Sequence, residues 1–341
     1  MPPTISIALP ARNAEKTLQV AVESLLDQYL PPDEIVLVDH KSVDATYSVM
    51  KRVAKSDSRI RVFRCNGTFV EAANLAWQES KGEVIARMDS DDIARPGRLD
   101  AQIQYLESNP NLAACGTKVQ ILKRNEEMDT LPPDDGYQRY EKWVNSVTHP
   151  KQIEQERFVD SPIPNPTAMI HREVLEDLGG YHDTEWAEDY DFWLRMIETG
   201  YRIGKVDQVL LDWFDGDNRA TRTQDRYSLT LFQKAKAHFL SRIPAVLEKR
   251  IIICGAGPIG KEFASYSSQN GVQIHAFCEV NRRQVGNRIN GIPVIASDNM
   301  TQFRGRSVAI GAVGLPGGRA RVRRFAEEAG FSEGFDFFSV A

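Results

Sequence analysis

No segment of the 341 residues approaches the roughly 18–20 consecutive apolar positions that a bilayer span requires, so no transmembrane helix is expected. Excess basic charge is also lacking. The 42 Lys and Arg stand against 47 Asp and Glu, a net charge of −5 that argues against a general nucleic-acid binder. Cysteine is sparse: Cys65, Cys115, Cys254 and Cys278 form no C-x-x-C pair and have no histidine at metal-ligand spacing. Reduced, buried thiols are expected in place of a disulfide framework or zinc site. The opening MPPTISIALPARNAEKTL has neither a basic leader nor a small-residue cleavage site. It does not read as a secretory signal, and a cytoplasmic location is expected, with at most peripheral membrane contact.

The chain is long enough for two domains. Its charge is unevenly spread, with residues 248–341 carrying 12 Lys and Arg against 8 Asp and Glu. The first hundred residues alternate strand and helix signals: TISIALPA, EIVLVDH, RIRVFRC and EVIARM as strands, AEKTLQVAVESLLDQ, VDATYSVMKRVAKS and VEAANLAWQES as helices. That order predicts an α/β domain whose parallel strands present functional groups at their C-terminal ends. Three such ends carry polar groups, namely Asn13, Asp39, and Asp89 with Asp91 and Asp92. After residue 100 the pattern loosens, and residues 123–160 read as a long polar stretch. RYSLTLFQKAKAHFLSRIPAVLEKR is helical and predicts a linker, and a second strand–helix series begins at Arg250.

The acid cluster Asp89-Ser90-Asp91-Asp92 is the most specific local signal. Carboxylates crowded at a strand exit repel one another unless a cation or a positive group joins them, and hard oxygens suit Mg²⁺ or Mn²⁺. The same residues also read as a capping loop before RPGRLDAQ, and the residues alone leave both accounts open.

Taken together, PARNAEKTL, VDHKSVDAT, MDSDD, NPTAMIHREVLEDLGGY and WAEDYDFWLRM resemble family 2 glycosyltransferases of the GT-A fold, over roughly residues 4–225 and in the family's order. The resemblance implies a mostly parallel sheet with helices on both faces and inverting transfer from a nucleotide diphosphate-sugar to an acceptor hydroxyl of a carbohydrate or glycolipid. It places Pro10, Asn13 and Asp39 around the base and ribose, Asp89 on the ribose side, and Asp91 on the metal. Asp92 is expected to be structural, and Asp44 to be a further polar contact or a cap. Asp189 matches the general base at the start of a helix, whose N-terminus favours an ionised carboxylate, and Glu188 is expected to contact the acceptor or a neighbouring positive group; plain charge complementarity at the helix start is the alternative.

Two departures stand out. The histidine that completes the metal shell in many relatives is absent between Trp213 and Tyr227, leaving Asp215 or Asp217, or diphosphate and water, to complete the shell. His40-Lys41 replaces residues that are commonly small. Arg219 and Arg222 in the same late segment are expected phosphate contacts, with solvated surface arginines as the alternative reading. A non-catalytic nucleotide-sugar sensor that kept the pocket is the competing function.

In the tail, Gly255-x-Gly257-x-x-Gly260 lies between a strand and a helix, and Glu279 ends the next strand. That context is the one a dinucleotide-type loop requires, with glycines for backbone approach and an acid for a ribose. GNRINGIPVIAS and SVAIGAVGLPGGRARVRRFAEEAGF resemble the small Rossmann-like domain that precedes the catalytic part of bacterial sugar acyltransferases. A nucleotide or nucleotide-sugar accessory role is implied. The expected division is 1–225 transferase, 226–249 helical linker and 250–341 Rossmann-like domain. The run Arg319, Arg321, Arg323 and Arg324 reads as a solvated helix face.

Overall fold

The structure is a computed structural model, and it describes residues 2–125, 128–216, 222 and 224–341. The chain folds as two compact units. Met1–Ile153, Pro162–Thr184 and Glu188–Thr223 make up the first, and Glu154–Ser161, Glu185–Ala187 and Gln224–Ala341 the second.

In the first unit, strands β1 (Ile5–Ala11), β2 (Glu34–His40), β3 (Ile60–Cys65) and β4 (Val84–Arg87) alternate with helices α1 (Leu18–Leu26), α2 (Thr46–Ser56) and α3 (Phe69–Glu79). There follow β5 (Ile93–Ala94), α4 (Arg98–Ser108), β6 (Ala114–Arg124), β7 (Thr130–Leu131), α5 (Asp135–Ser146) and α6 (Pro150–Glu156), the last three residues of which belong to the second unit. The unit ends with β8 (Met169–His171), α7 (Arg172–Leu178), α8 (Glu188–Glu198) and β9 (Ile203–Asp215). The sheet runs β3-β2-β1-β4-β8-β6-β9-β5, with β7 paired to β6. β2, β1 and β4 pair in parallel, whereas β8 joins antiparallel to both β4 and β6.

Burial explains the sequence pattern. β1 and β2 are buried along their whole length, as expected of strands covered on both faces. Leu18, Val22 and Leu25 of α1, Val49 of α2 and Leu99 of α4 close one face over Ile7, Leu9 and Leu37. Val70 and Ala73 of α3, Val174 of α7 and Phe192 of α8 close the other over Val36 and Val38. Pro10 is tolerated here because the β1–β4 ladder ends at Ala8↔Arg87, so no partner strand on that side needs its missing N–H.

The polar stretch after residue 123 is not the continuous loop that its composition suggests, since it holds α5 and α6. Only Val144 of α5 is fully buried, which leaves little periodic signal. β9 is likewise a 13-residue strand that the sequence does not announce. It buries Lys205 and exposes Asp207, and its ladder with β6 shifts register around Lys118, so alternation is broken.

The second unit contains α9 (Leu229–Leu240), α10 (Pro244–Glu248), β10 (Arg250–Cys254), α11 (Pro258–Gln269), β11 (Ile274–Glu279), β12 (Arg288–Ile289), β13 (Ile292–Ala296), β14 (Ser307–Gly311), α12 (Gly318–Glu328) and β15 (Phe337–Ser339). Its sheet order is β12-β13-β11-β10-β14-β15, parallel except for the β12–β13 hairpin. Cys254 and Cys278 are buried in its core beside Met300. Two of the four arginines of α12 are engaged locally, while Arg321 and Arg324 are exposed: Arg323 pairs with Glu156 at 2.8 Å and Glu333 at 2.7 Å, and Arg319 donates to the Ala341 carbonyl at 2.7 Å. No helix among the described residues is long and apolar enough to cross a membrane.

Candidate active site

The C-terminal ends of β1 and β2 are stitched together by side chains of their own loops. Asn13 adopts φ 51°, a left-handed conformation that asparagine tolerates better than most residues. Its N–H donates to Ser42 Oγ at 3.0 Å, and its Oδ1 accepts from the Val43 N–H at 3.0 Å. Asp44 accepts from the Thr46 N–H and hydroxyl, so it caps α2. Burial alone raises the Asp44 carboxyl, but the Thr46 hydrogen bonds outweigh it and hold the group below its usual range. Asp39, 1% exposed, faces Arg64 Nε at 3.1 Å. His40 Nε2–H donates to the Gly67 carbonyl, 3.1 Å away.

β4 delivers the acids. Asp89, Asp91 and Asp92 each offer a carboxylate oxygen within 4.8 Å of the others. Asp92 is buried and its Oδ1 accepts from the Phe214 N–H at 2.9 Å, so its part is to tie the acid loop to β9. Asp89 and Asp91 are half-buried. The apolar strand that precedes them hides the compensating charge. Arg87, wholly buried, meets Asp89 at 2.8 Å, and Arg98, equally buried, donates to the Arg87 carbonyl at 2.8 Å. Burial pulls Arg98 down to about 10, with Asp92 opposing. Arg124 donates to the Asp91 carbonyl at 3.3 Å and lies over the Phe214 ring. These three guanidinium groups offset much of the self-repulsion of the acids. Hard carboxylate oxygens at this spacing fit Mg²⁺ or Mn²⁺, with Asp91 and Asp89 the accessible donors.

α8 brings the second pair of acids to the same place. Asp189 accepts from the Tyr190 N–H at 2.7 Å. Burial, then the charges of Glu188 and Asp89, push its carboxyl up to about 7. A helix N-terminus favours an ionised carboxylate, but desolvation outweighs it here. Glu188, 2% exposed, adds to the field at Arg87 and Tyr181. Asp191 instead accepts from Arg195 Nε at 2.7 Å, and Arg195 also holds the Leu178 and Gly180 carbonyls. Asp191 therefore secures the helix, not the site. Arg64, Arg87, Arg98 and Tyr181 escaped the sequence argument; only an arginine inside the apolar string EVIARM hinted at them.

The late segment is arranged differently from its expectation. Arg222 Nε lies 3.1 Å from both Asp215 oxygens, and its Nη2 meets Asp134 at 2.8 Å. Asp215 is fully buried. The pair thus satisfies itself, leaving Asp215 turned to a guanidinium where a metal ligand was considered. Arg219 and Asp217 lie outside the described residues.

In the second unit the three glycines differ. Gly255 has φ +115°, and a Cβ there would meet Val313 at 2.7 Å. A Cβ at Gly260 would lie 2.1 Å from the Gly255 carbonyl oxygen. At Gly257, the N-cap of α11, a Cβ would meet nothing within 4 Å. Only this middle position leaves open space over the helix N-terminus. Glu279 accepts from the N–H groups of Ala256, Val280 and Asn281 at 3.0, 2.9 and 3.1 Å, so its carboxylate shapes the loop.

Comparison with known proteins accords with these two units. The family described as CoA binding domain matches residues 247–330. An uncharacterized glycosyltransferase of Haemophilus influenzae is 29% identical over 202 residues, 58% of this chain and 61% of that protein. The chain thus spans under two thirds of that relative's length. An O-antigen biosynthesis glycosyltransferase of Escherichia coli is 26% identical over 217 residues, 61% of this chain and 78% of that one. Among solved structures, residues 1–349 of Staphylococcus aureus TarS align with a TM-score of 0.51 at 16% identity, over 78% of this chain and 71% of that one. The same protein in complex with UDP aligns at 0.51 and 17% identity, over 70% of this chain and 66% of that one. At such identity the likeness is one of fold, GT-A. The family described as Glycosyl transferase family 2 matches residues 6–179, just over half of the chain, and the protein belongs to that family.

Proposed function

We propose that this glycosyltransferase transfers a sugar, with inversion, from a nucleotide diphosphate-sugar to a carbohydrate or glycolipid hydroxyl in polysaccharide or glycoconjugate assembly. The observation that carries this reading is the convergence of the MDSDD acids and the α8 acids on Arg87. Asp189, at a proton affinity near neutrality, takes the acceptor hydroxyl's proton as that oxygen attacks the anomeric carbon. The bond to the diphosphate breaks on the opposite face, and the nucleoside diphosphate leaves. Glu188 contacts the acceptor or the neighbouring positive group Arg87, and its charge raises the proton affinity of Asp189.

Pro10, Asn13 and Asp39 line the base and ribose, with Arg64 holding Asp39, and Asp89 faces the ribose. Asp91, with Asp89, would hold Mg²⁺ or Mn²⁺, which when bound offsets the charge of the leaving diphosphate. Arg222 reaches phosphate only by leaving Asp215, and Arg219 retains its proposed phosphate role. The O-antigen relative and the UDP complex of the TarS structure support the substrate class. Residues 1–225 carry transfer, 226–249 link, and 250–341 bind a nucleotide or nucleotide-sugar through Gly257. A cytoplasmic setting fits the supply of such donors.

The test is calorimetry with UDP- and GDP-sugars, with and without Mn²⁺, alongside an assay of sugar transfer and nucleoside diphosphate release. Metal-dependent donor binding and turnover are expected. Asp91→Asn removes the metal-dependent part of donor affinity, and Asp39→Ala weakens binding with or without metal. Tight binding without turnover for every donor and acceptor would instead identify a sensor.

A further inference from the structure

We infer that Cys254 and Cys278 of the second unit are a redox-reversible pair, closed to an intramolecular disulfide by hydrogen peroxide, whose state sets the conformation of the glycine loop. The pair acts on the loop whatever ligand the loop holds. β10 and β11 run parallel, and their register places Cys254 opposite Cys278. Partners in register project to the same face of a sheet, and both side chains lie in one buried cluster with Ile252, Ala276 and Ala309. Both thiols are free, and Cys254 Sγ donates to Met300 Sδ at 3.7 Å. Neighbouring strands stand about 4.8 Å apart, inside the roughly 4.4–6.8 Å over which a disulfide joins two Cα atoms.

The surroundings favour a disulfide over a metal as the partner of these sulfurs. The Cys278 thiol beside it, then burial, push the Cys254 thiol well above its ordinary value. A soft monovalent metal held by both sulfurs and Met300 would need two thiolates, which leaves a net negative charge in an apolar core. A disulfide buries no charge. The same burial keeps the thiols inert until the strand ends open. Cys254 is the last residue of β10 and Cys278 the last but one of β11, so local opening there exposes both without unfolding the sheet. One thiolate then attacks an oxygen of hydrogen peroxide, the O–O bond breaks, and the hydroxide released takes up a proton as water. The second thiolate attacks the resulting sulfenic acid; the S–S bond forms, the S–O bond breaks, and a second water leaves. Two electrons pass from the sulfurs to the peroxide, and the two thiol protons end in the two waters.

The loop responds because it is joined to both cysteines. Gly255 follows Cys254, and its N–H donates to the Cys278 carbonyl at 2.9 Å. Glu279 follows Cys278 and accepts from the N–H groups of Ala256, Val280 and Asn281. A disulfide draws its Cβ atoms to about 3.8 Å, closer than the strand spacing, so the two strand ends must approach or twist. Gly255 has no room to absorb that change. A Cβ there would meet the Ala312 carbonyl oxygen at 2.9 Å, and one at Gly260 would lie 2.1 Å from the Gly255 carbonyl oxygen. The displacement therefore passes to Ala256 and Gly257.

The test uses the full-length chain carrying Cys65→Ser, which removes the half-buried thiol of the first unit, treated with hydrogen peroxide and then with dithiothreitol. Non-reducing peptide mapping by mass spectrometry is expected to find the Cys254 and Cys278 peptides joined and two hydrogens lighter, and separate again after reduction. Amide exchange at residues 255–258 and 279–281 rises at least about two-fold on oxidation and returns on reduction, while β14 keeps its protection. Adding Cys254→Ala abolishes both changes, and Cys278→Ser serves in its place should that variant fail to fold. Thiols at both positions that still alkylate in full after peroxide and denaturation overturn the proposal. Oxygen added to Met300 without a joined pair overturns it as well. So does a joined pair with unchanged exchange in the loop. Exchange that rises equally through β14 reports unfolding of the unit, and that too overturns a reversible switch.

Discussion

The buried guanidinium of Arg87 meets the Asp89 carboxylate at 2.8 Å and lies in the field of Glu188. One cation thus compensates acids from two separated segments, MDSDD and the start of α8. Breaking a buried pair by removing one partner is costly because the remaining charge keeps its burial but loses its compensation.

Arg87→Met is accordingly expected to destabilise the protein by about 3 kcal/mol near pH 7. The carboxylates left behind take up protons more readily in the folded state, so the deficit shrinks as the pH is lowered toward 5. Urea unfolding of both proteins at the two pH values measures it. A deficit independent of pH would show that Arg87 acts through packing, not charge.

For Asp189, the raised proton affinity yields a pH dependence of definite sign. The base works only when ionised, so kcat rises with pH through about 7 and then levels. Asp189→Asn keeps donor binding, loses transfer by roughly 10²–10⁴, and loses that limb of the profile. Stability runs the other way. The folded state holds the proton more tightly than the unfolded one, so wild type loses stability relative to Asp189→Asn as pH rises from about 4 to about 7. Thermal melts across that range, with kcat profiles of both proteins, provide the check.

Much of this arrangement is legible in the chain, and the illegible part has a common cause. EIVLVDH is β2 to the residue, because a run buried on both faces and ended by two polar groups has one reading. The acids at the strand ends follow from the same rule. Arg87 and Arg98 do not, since their meaning depends on burial that the strand and helix acquire only from their neighbours. Asp215 and Arg222 each look available in sequence, yet pairing consumes both. α5 escapes detection because one buried valine is too little periodicity to set it apart from a polar loop.

Lys205 is a cost that the fold of β9 carries. Its ammonium is 2% exposed and donates to the Val144 carbonyl, and burial, with help from Lys118, pulls its pKa down to about 7. Between about 7 and 10.5 the unfolded chain binds the proton that the folded one has released. Wild type therefore gains stability with rising pH across this window. Lys205→Met, of similar length and without a charge to bury, is expected to melt at least about 2 °C higher at pH 6 and to lose that gain. Equal melting temperatures at pH 6 would mean that the Val144 hydrogen bond fully repays the burial.

The glycine loop separates fold from ligand by two substitutions of equal size. At Gly260 a methyl group would sit 2.1 Å from the Gly255 carbonyl oxygen, so Gly260→Ala must push β10's loop away from α11 and should destabilise the second unit. At Gly257 the methyl meets open space, and φ −77° suits alanine, so Gly257→Ala should melt like wild type. The added methyl nevertheless stands where a phosphate would approach the N-terminus of α11. If the loop cradles a nucleotide, Gly257→Ala loses affinity for UDP or a UDP-sugar at that unit while its melting temperature holds. The binding measurement is made on Asp39→Ala protein, in which the first unit's own nucleotide affinity is already weakened. Unchanged affinity at Gly257→Ala would leave Gly255 and Gly260 as packing glycines and remove the loop from nucleotide binding.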